Sequence, residues 1–393
     1  MASEAAAAHE DKVGAMRRAS VWWQCLILLG AIVGMQLYFF PIPESLVRAV
    51  AGPRAAGAAP PTAPAPSDPL LRPGEERHLR NVRQLTFGGE NAEGYWSFDG
   101  KRIVFQSRRD GLPADQIFVM DADGSNVRMV STGKGRTTCA FFNRDGSRIF
   151  YASTHESGDA PPPPPDLSMG YVWPVYPEYE IYHARLDQPL RPRRLTYHPG
   201  YDAEATLSPD GERLVFTSLR EGDLDLYTMT IDGEDVRRLT TDLGYDGGAF
   251  YSHDGRMIVY RAHHPQTEEE IRAYRELLAR NLVRPSQMEI FVIRADGSGK
   301  RQITRNGAAN FCPYFTPDDR KIIFASNLEN PRGRNFDLYL IDLDGNGLER
   351  ITFDESFDGF PMFSPDGKRL IWASNRNARQ RGETNLFVAD WIP

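Results

Sequence analysis

Three aspartates, two asparagines and a threonine return at one fixed distance from a turn, and no other chemistry-bearing pattern in this 393-residue chain is as regular. The turns are Asp99-Gly100, Asp145-Gly146, Asp210-Gly211, Asp254-Gly255, Asp318-Asp319 and Asp366-Gly367. Nine residues before the second member of each stand Asn91, Thr137, Asp202, Asp246, Asn310 and Asp358; seven before it stand Glu93 and Glu204. Carboxylates gathered into one ring draw a cation or a basic peptide. The alternative use of such short polar side chains is to hydrogen-bond the backbone of neighbouring loops. Cys139 and Cys312 share the step seven before the turn, and read as small buried hydrophobes rather than a disulfide.

Arranged catalytic groups do not accompany this ring. The sequence has no Gly-x-Ser-x-Gly elbow and no Cys-x-x-Cys-His haem site, and His263 and His264 are adjacent, without the spacing zinc ligation needs. Asp342 to Gly347 matches the first half of a calcium loop, but Phe353 stands where a bidentate glutamate is required, so the segment reads as a hairpin turn. The sequence therefore predicts no catalytic residue, no metal site, no cofactor and no small-molecule substrate. A net charge of −7 without a basic stripe excludes nucleic acid as a partner.

The elements that position the ring follow from the turns. Each leads into a strand of the type Arg-(Ile/Leu)-(Ile/Val)-aromatic, and a second phrase alternates with it: Gln84-Leu85-Thr86, Met129-Val130-Ser131, Arg194-Leu195-Thr196, Arg238-Leu239-Thr240, Gln302-Ile303-Thr304 and Arg350-Ile351-Thr352. Six copies of two interleaved phrases are six copies of one supersecondary unit, spaced by 46, 65, 44, 64 and 48 residues. The short intervals suit a four-stranded blade, and the long ones blades with insertions. The fold class is all-β: a six-bladed β-propeller preceded by an N-terminal transmembrane helix. The last copy lacks a fourth strand and the first is preceded by an orphan one, so residues 81–86 should pair with 384–391 and close the ring.

The Ser-Pro-Asp-Gly turns (Ser208 to Gly211, Ser364 to Gly367), the Leu-Tyr-x-Met strand and the Asp-Gly-Ser loops resemble the TolB-type β-propeller over residues 77–393. Ile290 to Val292, Asn335 to Tyr339 and Gly382 to Asn385 are similar to a bacterial TolB-like subfamily. The resemblance implies a periplasmic propeller whose funnel mouth receives partner peptides, with a channel cation such as calcium in some members. On that basis Asn91, Glu93, Thr137, Asp202, Glu204, Asp246, Asn310 and Asp358 are the candidate funnel-mouth ligands.

Outside the propeller, residues 1–20 form a tail, 21–40 an uncharged stretch long enough to span a bilayer, and 41–76 a linker rich in alanine and proline. Gly30 and Gly34 form a GxxxG pattern for contact with another membrane helix. The arrangement places a single-pass anchor in the bacterial inner membrane, with the propeller on the periplasmic side. The blade-two insertion offers Tyr171, Trp173, Tyr176 and Tyr179 as a docking surface, or folds onto the propeller's own face. The blade-four insertion opens with a capping box, Thr267 to Glu270, before an amphipathic helix expected to pack on its own blade. The functional expectation is a non-enzymatic scaffold or accessory subunit of a larger membrane protein complex, of respiratory, envelope or photosynthetic type. The alternative is a periplasmic receptor binding a peptide or cation in the acidic funnel.

Overall fold

The computed structural model describes residues 69–393 apart from Pro73. The expected transmembrane segment, with Gly30 and Gly34, and the linker up to residue 68 lie outside the described residues. Among those described, no helix is long and apolar enough to cross a membrane.

Six antiparallel four-stranded sheets form six blades. The innermost strands are Glu90–Trp96, Thr137–Phe142, Asp202–Leu207, Tyr245–Tyr251, Asn310–Phe315 and Asp358–Phe363. The strand Leu79–Gln84 is the fourth strand of blade six, pairing antiparallel with Asn385–Trp391 from Leu79↔Trp391 to Gln84↔Phe387. Contacts with the propeller begin before residue 77: Glu76 is buried in an ion-paired cluster with Arg376 and Asp358 of blade six.

Both repeated phrases have a physical cause. The aromatic of each second strand faces an aromatic of the third: Phe105–Phe118, Tyr151–Tyr182, Phe216–Tyr227, Tyr260–Phe291, Phe324–Tyr339 and Trp372–Phe387. Their ring centroids lie 5.7 to 6.2 Å apart, a geometry worth about 0.5–1.5 kcal/mol per pair beyond burial. The hydroxyl of the Leu-Thr phrase accepts the backbone N–H that opens the third strand's apolar run. These bonds run from Leu386 to Thr86, Ile117 to Ser131, Ile181 to Thr196, Leu226 to Thr240, Ile290 to Thr304 and Leu338 to Thr352, all at 2.8 to 2.9 Å. The hydroxyl thus supplies an acceptor for a buried amide where the short fourth strand ends.

Every innermost strand carries a bulge at the same step. The pairing with the second strand shifts register between Ala92 and Tyr95, and equivalently in the other five blades. The bulged residue has positive φ in each: Glu93, Cys139, Glu204, Gly248, Cys312 and Phe360, at +52 to +61°. This conformation is costly for residues other than glycine, and the bulge re-aims the side chain it carries.

Candidate functional site

The eight funnel candidates separate into two tiers. In the upper tier, where the innermost strands begin, Asn91, Thr137, Asp202, Asp246, Asn310 and Asp358 are all buried. Each is held by its own or a neighbouring blade. Asn91 donates to the carbonyls of Gly88 and Thr384, and accepts from Arg109 at 2.8 Å. Thr137 donates to the carbonyl of Asp115, and Asn310 to that of Met288. Asp202 pairs with Arg220 at 3.0 Å and Asp246 with His264 at 2.9 Å. Asp358 takes bonds from Trp372 Nε1 and Arg376 at 3.0 and 2.8 Å. Burial pushes all three aspartates' carboxyls up, against the pull of these partners. The three aspartates are thus paired with an arginine or histidine of their own blade, with Oδ2 of Asp202 and of Asp246 left without a hydrogen-bond partner, while Asn91, Thr137 and Asn310 bond to the backbone of the neighbouring blade. The physical reason is that a carboxylate at a strand start between blades must be paired once it leaves water.

The bulge tier is different. Glu93, Cys139, Glu204, Gly248, Cys312 and Phe360 line a channel cavity of about 20 Å³, room for one water. Glu204 accepts from Thr217 Oγ1 at 2.9 Å, the Gly248 amide at 2.8 Å, the Tyr245 phenol at 3.1 Å and Arg261 Nη2 at 2.5 Å. Glu93 accepts from the Cys139 amide at 3.0 Å. Its carboxyl is pushed up to about 8, first by burial and then by Glu204. Burial, reinforced by the two carboxylates, raises the Cys139 thiol well above its ordinary value. Burial opposes the charge of Arg261, but Glu204 and then Tyr245 outweigh it and hold the guanidinium charged. Cys139 and Cys312 are both free thiols.

One step further along, side chains close the channel floor. Tyr95 lies 5.4 Å from Phe250 of the opposite blade, Phe250 lies 5.3 Å from Tyr314, and Phe141 lies 5.9 Å from Tyr95.

The roof comes from the two insertions, which join. Trp173–Pro174 of blade two pairs antiparallel with Leu282–Val283 of blade four, and the Val175 amide donates to the Asn281 carbonyl at 2.8 Å. The helix α1 (Glu268–Leu278) has the expected capping box. Rather than packing only on its own blade, it buries Leu277 against Val172 of the other insertion. Its Tyr274 donates to Asp223 and to the Gly244 carbonyl at the junction of blades three and four. Trp173 sits 5.1 Å from Phe311 of blade five and 5.5 Å from the Arg261 guanidinium.

Of the four aromatic docking candidates, Tyr179 is fully buried against Tyr201, and Tyr176 is buried with its phenol on the Pro163 carbonyl. Neither is a surface group, because the insertion folds back to cover blade two. Tyr171 remains exposed, accepting from Trp173 Nε1 at 3.0 Å. Among the described residues no group of three or more His, Cys, Asp or Glu is placed to hold a metal ion.

The spacing did not single out Arg261, yet a signal was present. The equivalent residues of the other blades are Gln106, Ala152, Thr217, Ala325 and Ala373, all uncharged. In the same blade Gly248 stands where the others carry a side chain, and a Cβ there would fall on the Arg261 guanidinium. The missing Cβ at Gly248 thus leaves the space that the Arg261 guanidinium occupies.

The family model for the TolB beta propeller domain matches residues 176–277 and 274–380. The Tol-Pal system protein TolB of Bordetella pertussis is 27% identical over 189 residues, covering 41% of this chain and 42% of the relative. The chain thus spans under half the length of the curated relatives it matches. Among solved structures, TolB from Acinetobacter baumannii aligns with a TM-score of 0.52 at 19% identity, over 74% of this chain and 64% of that one. A protein assigned as TolB from Agrobacterium tumefaciens aligns at 0.50 and 21%, over 79% and 97%. At these identities the structural likeness concerns the fold alone.

Proposed function

This chain belongs to the TolB beta-propeller family, and from that premise we propose that it works by binding protein, not by catalysis. It is a periplasmic propeller, anchored in the inner membrane by residues 21–40, and serves as an accessory or scaffold subunit of a larger membrane complex. The carrying observation is how the channel is filled. Its carboxylates are bonded to the chain's own arginine, phenol and amides, and its cavity has room for one water, so the channel presents no free base or nucleophile to a substrate. What has been added to the bare repeat lies at the mouth: both insertions, and the N-terminal segment bound through Glu76 and by the Leu70 carbonyl to Arg376. Connections between second and third strands share the end at which innermost strands begin, since each blade is an antiparallel meander. The curated relatives are by name components of a Tol-Pal system, and the role carried over is that of one member of an assembly.

The test is purification of the intact chain from its native membrane in mild detergent, with mass spectrometry of what accompanies it. A complex of fixed stoichiometry that survives gel filtration is expected; a solitary protein overturns the reading. In the same preparation, changing Asp202, Asp246 and Asp358 together to asparagine separates scaffold from funnel receptor. A scaffold keeps its assembly, and a receptor that depends on the charge loses its ligand.

A further inference from the structure

We propose that the seam between the first and last blades is a binding site for a small organic anion, held through its carboxylate or phosphate group by Arg109. The site stands apart from the channel and does not depend on the protein-binding reading.

Each upper-ring side chain is paired with a second-strand residue, and two residues beyond that one stand Arg109, His155, Arg220, His264, Leu328 and Arg376. In five blades the charges at this step match. Asp202, Asp246 and Asp358 meet Arg220, His264 and Arg376 at 2.8 to 3.0 Å. Uncharged Asn310 goes with Leu328, and Thr137 with His155, whose imidazole burial holds below its ordinary value. Blade one breaks the rule, with a full cation, Arg109, against an amide, Asn91. Asn91 has its own task, since it donates to the Thr384 carbonyl across the seam. The acid is missing and the arginine is kept.

Arg109 is fixed in place without an acid of its own. Its Nε donates to Ser107 Oγ at 3.0 Å and its Nη2 to Asn91 Oδ1 at 2.8 Å. Its guanidinium lies 5.6 and 5.5 Å from the rings of Phe105 and Phe118. Among the described residues it makes no ion pair, which leaves Nη1 to another acceptor. Burial pulls its guanidinium below the ordinary value, with Asp110 working against that pull. A held guanidinium fork is the side chain that receives a carboxylate or phosphate through two parallel bonds.

This arginine lines a cavity of about 440 Å³, within the range of small-molecule sites. Arg108 and Arg381 share its wall with three acids, Glu90, Asp110 and Glu383. Two of the acids are engaged. Glu90 pairs with Arg108, and Glu383 accepts from the Gly88 and Arg379 amides and from Asn385 Nδ2. Asp110 is exposed, where water and salt screen its charge. Phe87, 60% exposed and with the Arg379 guanidinium 5.8 Å from its ring, adds a flat apolar wall. Such a wall suits a carbon skeleton, so the occupant is an organic anion rather than a bare ion. The lining comes from blade one and blade six together, and an occupant therefore ties the seam.

The experiment is isothermal titration calorimetry on the full chain in mild detergent at fixed ionic strength. The probes are benzoate and phenyl phosphate, which differ only in the anionic group, with phenol as the neutral control. One of the anions or both should bind wild type with a dissociation constant of about 1 mM or tighter, and phenol should not bind. The tighter of the two names the anionic group. Arg109→Gln should weaken binding about tenfold or more. Asn91→Asp returns the acid that blades three, four and six carry, and should weaken binding by a similar factor from within. Arg237→Gln, an exposed arginine on an outer strand, should change nothing. Urea unfolding checks that each variant is folded; should Arg109→Gln fail to fold, Asn91→Asp decides alone. No saturable binding of either anion by wild type overturns the inference. So do phenol binding as tight as the anions, an unchanged constant in a folded Arg109→Gln, or an equal loss in Arg237→Gln.

Discussion

Two rings of six side chains, two residues apart on the same six strands, have opposite characters. The upper ring is uniform in kind: short, polar and bonded within the propeller, whether the residue is Asn91 with Arg109 or Asp202 with Arg220. The bulge ring is uniform only in backbone. Six positive φ values carry glutamate, cysteine, glutamate, glycine, cysteine and phenylalanine. A position where every blade uses interchangeable chemistry is doing the same structural task six times. A position where a costly backbone is kept while the side chain varies between blades has been built around its contents. The conspicuous aspartates of the upper ring are therefore held within their own blades, and the individual part of the molecule is the lower tier with Arg261.

That contrast is tested hardest at Arg261. Arg261→Met leaves Glu204 buried with its charge uncompensated, and should cost about 3–5 kcal/mol in urea unfolding. Adding Glu204→Gln, which keeps an acceptor for the Gly248 amide, should regain most of that loss. A single-variant cost near zero would mean that water already reaches the pair, and the lower tier would lose its distinction.

The next effect is a pH dependence. The Glu93 carboxyl rises from an ordinary 4.5 to about 8 in the folded protein, so between those values the folded state holds a proton that the unfolded state has released. Stability contributed by this group is complete below about 4.5 and is lost as pH rises towards 8. Wild type should lose roughly 2–4 kcal/mol over that window from this residue, while Glu93→Gln should keep a correspondingly flatter profile. Parallel profiles for the two proteins would assign the titration elsewhere.

How far the chain declares all this depends on what repeats. The blades, their order and the pairing of residues near 81–86 with the C-terminal strand are written in phrases that recur six times, each tied to a contact made in every blade. The capping box of α1 is local and equally plain. The site is harder to read because it lies in departures from the repeat. Arg261 among uncharged residues and Gly248 among side chains look like noise until the bulge puts them in one cavity. Trp173 stands out in the sequence as an aromatic of the insertion, but its surroundings do not, since its neighbours come from blades four and five, distant in sequence. The acids of the upper ring are the converse case: their spacing is plain in the sequence and their bonding is not. Their partners Arg220, His264 and Arg376 stand on a different strand connection, and a ring count does not see them.

Gly248 offers a narrower probe of the lower tier. Gly248→Ala puts a methyl group where the guanidinium lies, at a backbone φ of +61°, and should cost about 2–3 kcal/mol. Gly255→Ala, in the turn of the same blade at φ +72° with its nearest neighbour 3.7 Å away, carries the backbone strain alone, about 1–2 kcal/mol. The difference between the two, measured by thermal or urea unfolding, isolates the room that Arg261 occupies. No difference would mean that the arginine moves aside freely.

The smallest effect belongs to the upper ring. Asn91 and Asn310 already occupy positions equivalent to Asp202, and Asn91 accepts from Arg109 as Asp202 does from Arg220. Asp202→Asn therefore keeps the hydrogen bond and gives up only the charge, at a place where burial had disfavoured that charge. Arg220, with 13% of its side chain exposed, retains contact with water and stacks on Phe216 and Tyr227, so its own charge is not stranded. The expected cost is about 1 kcal/mol or less by urea unfolding. Should Asp202→Asn prove as damaging as Arg261→Met, the upper ring would be an electrostatic centre in its own right, and the division of the channel into a bonded ring above and contents below would fail.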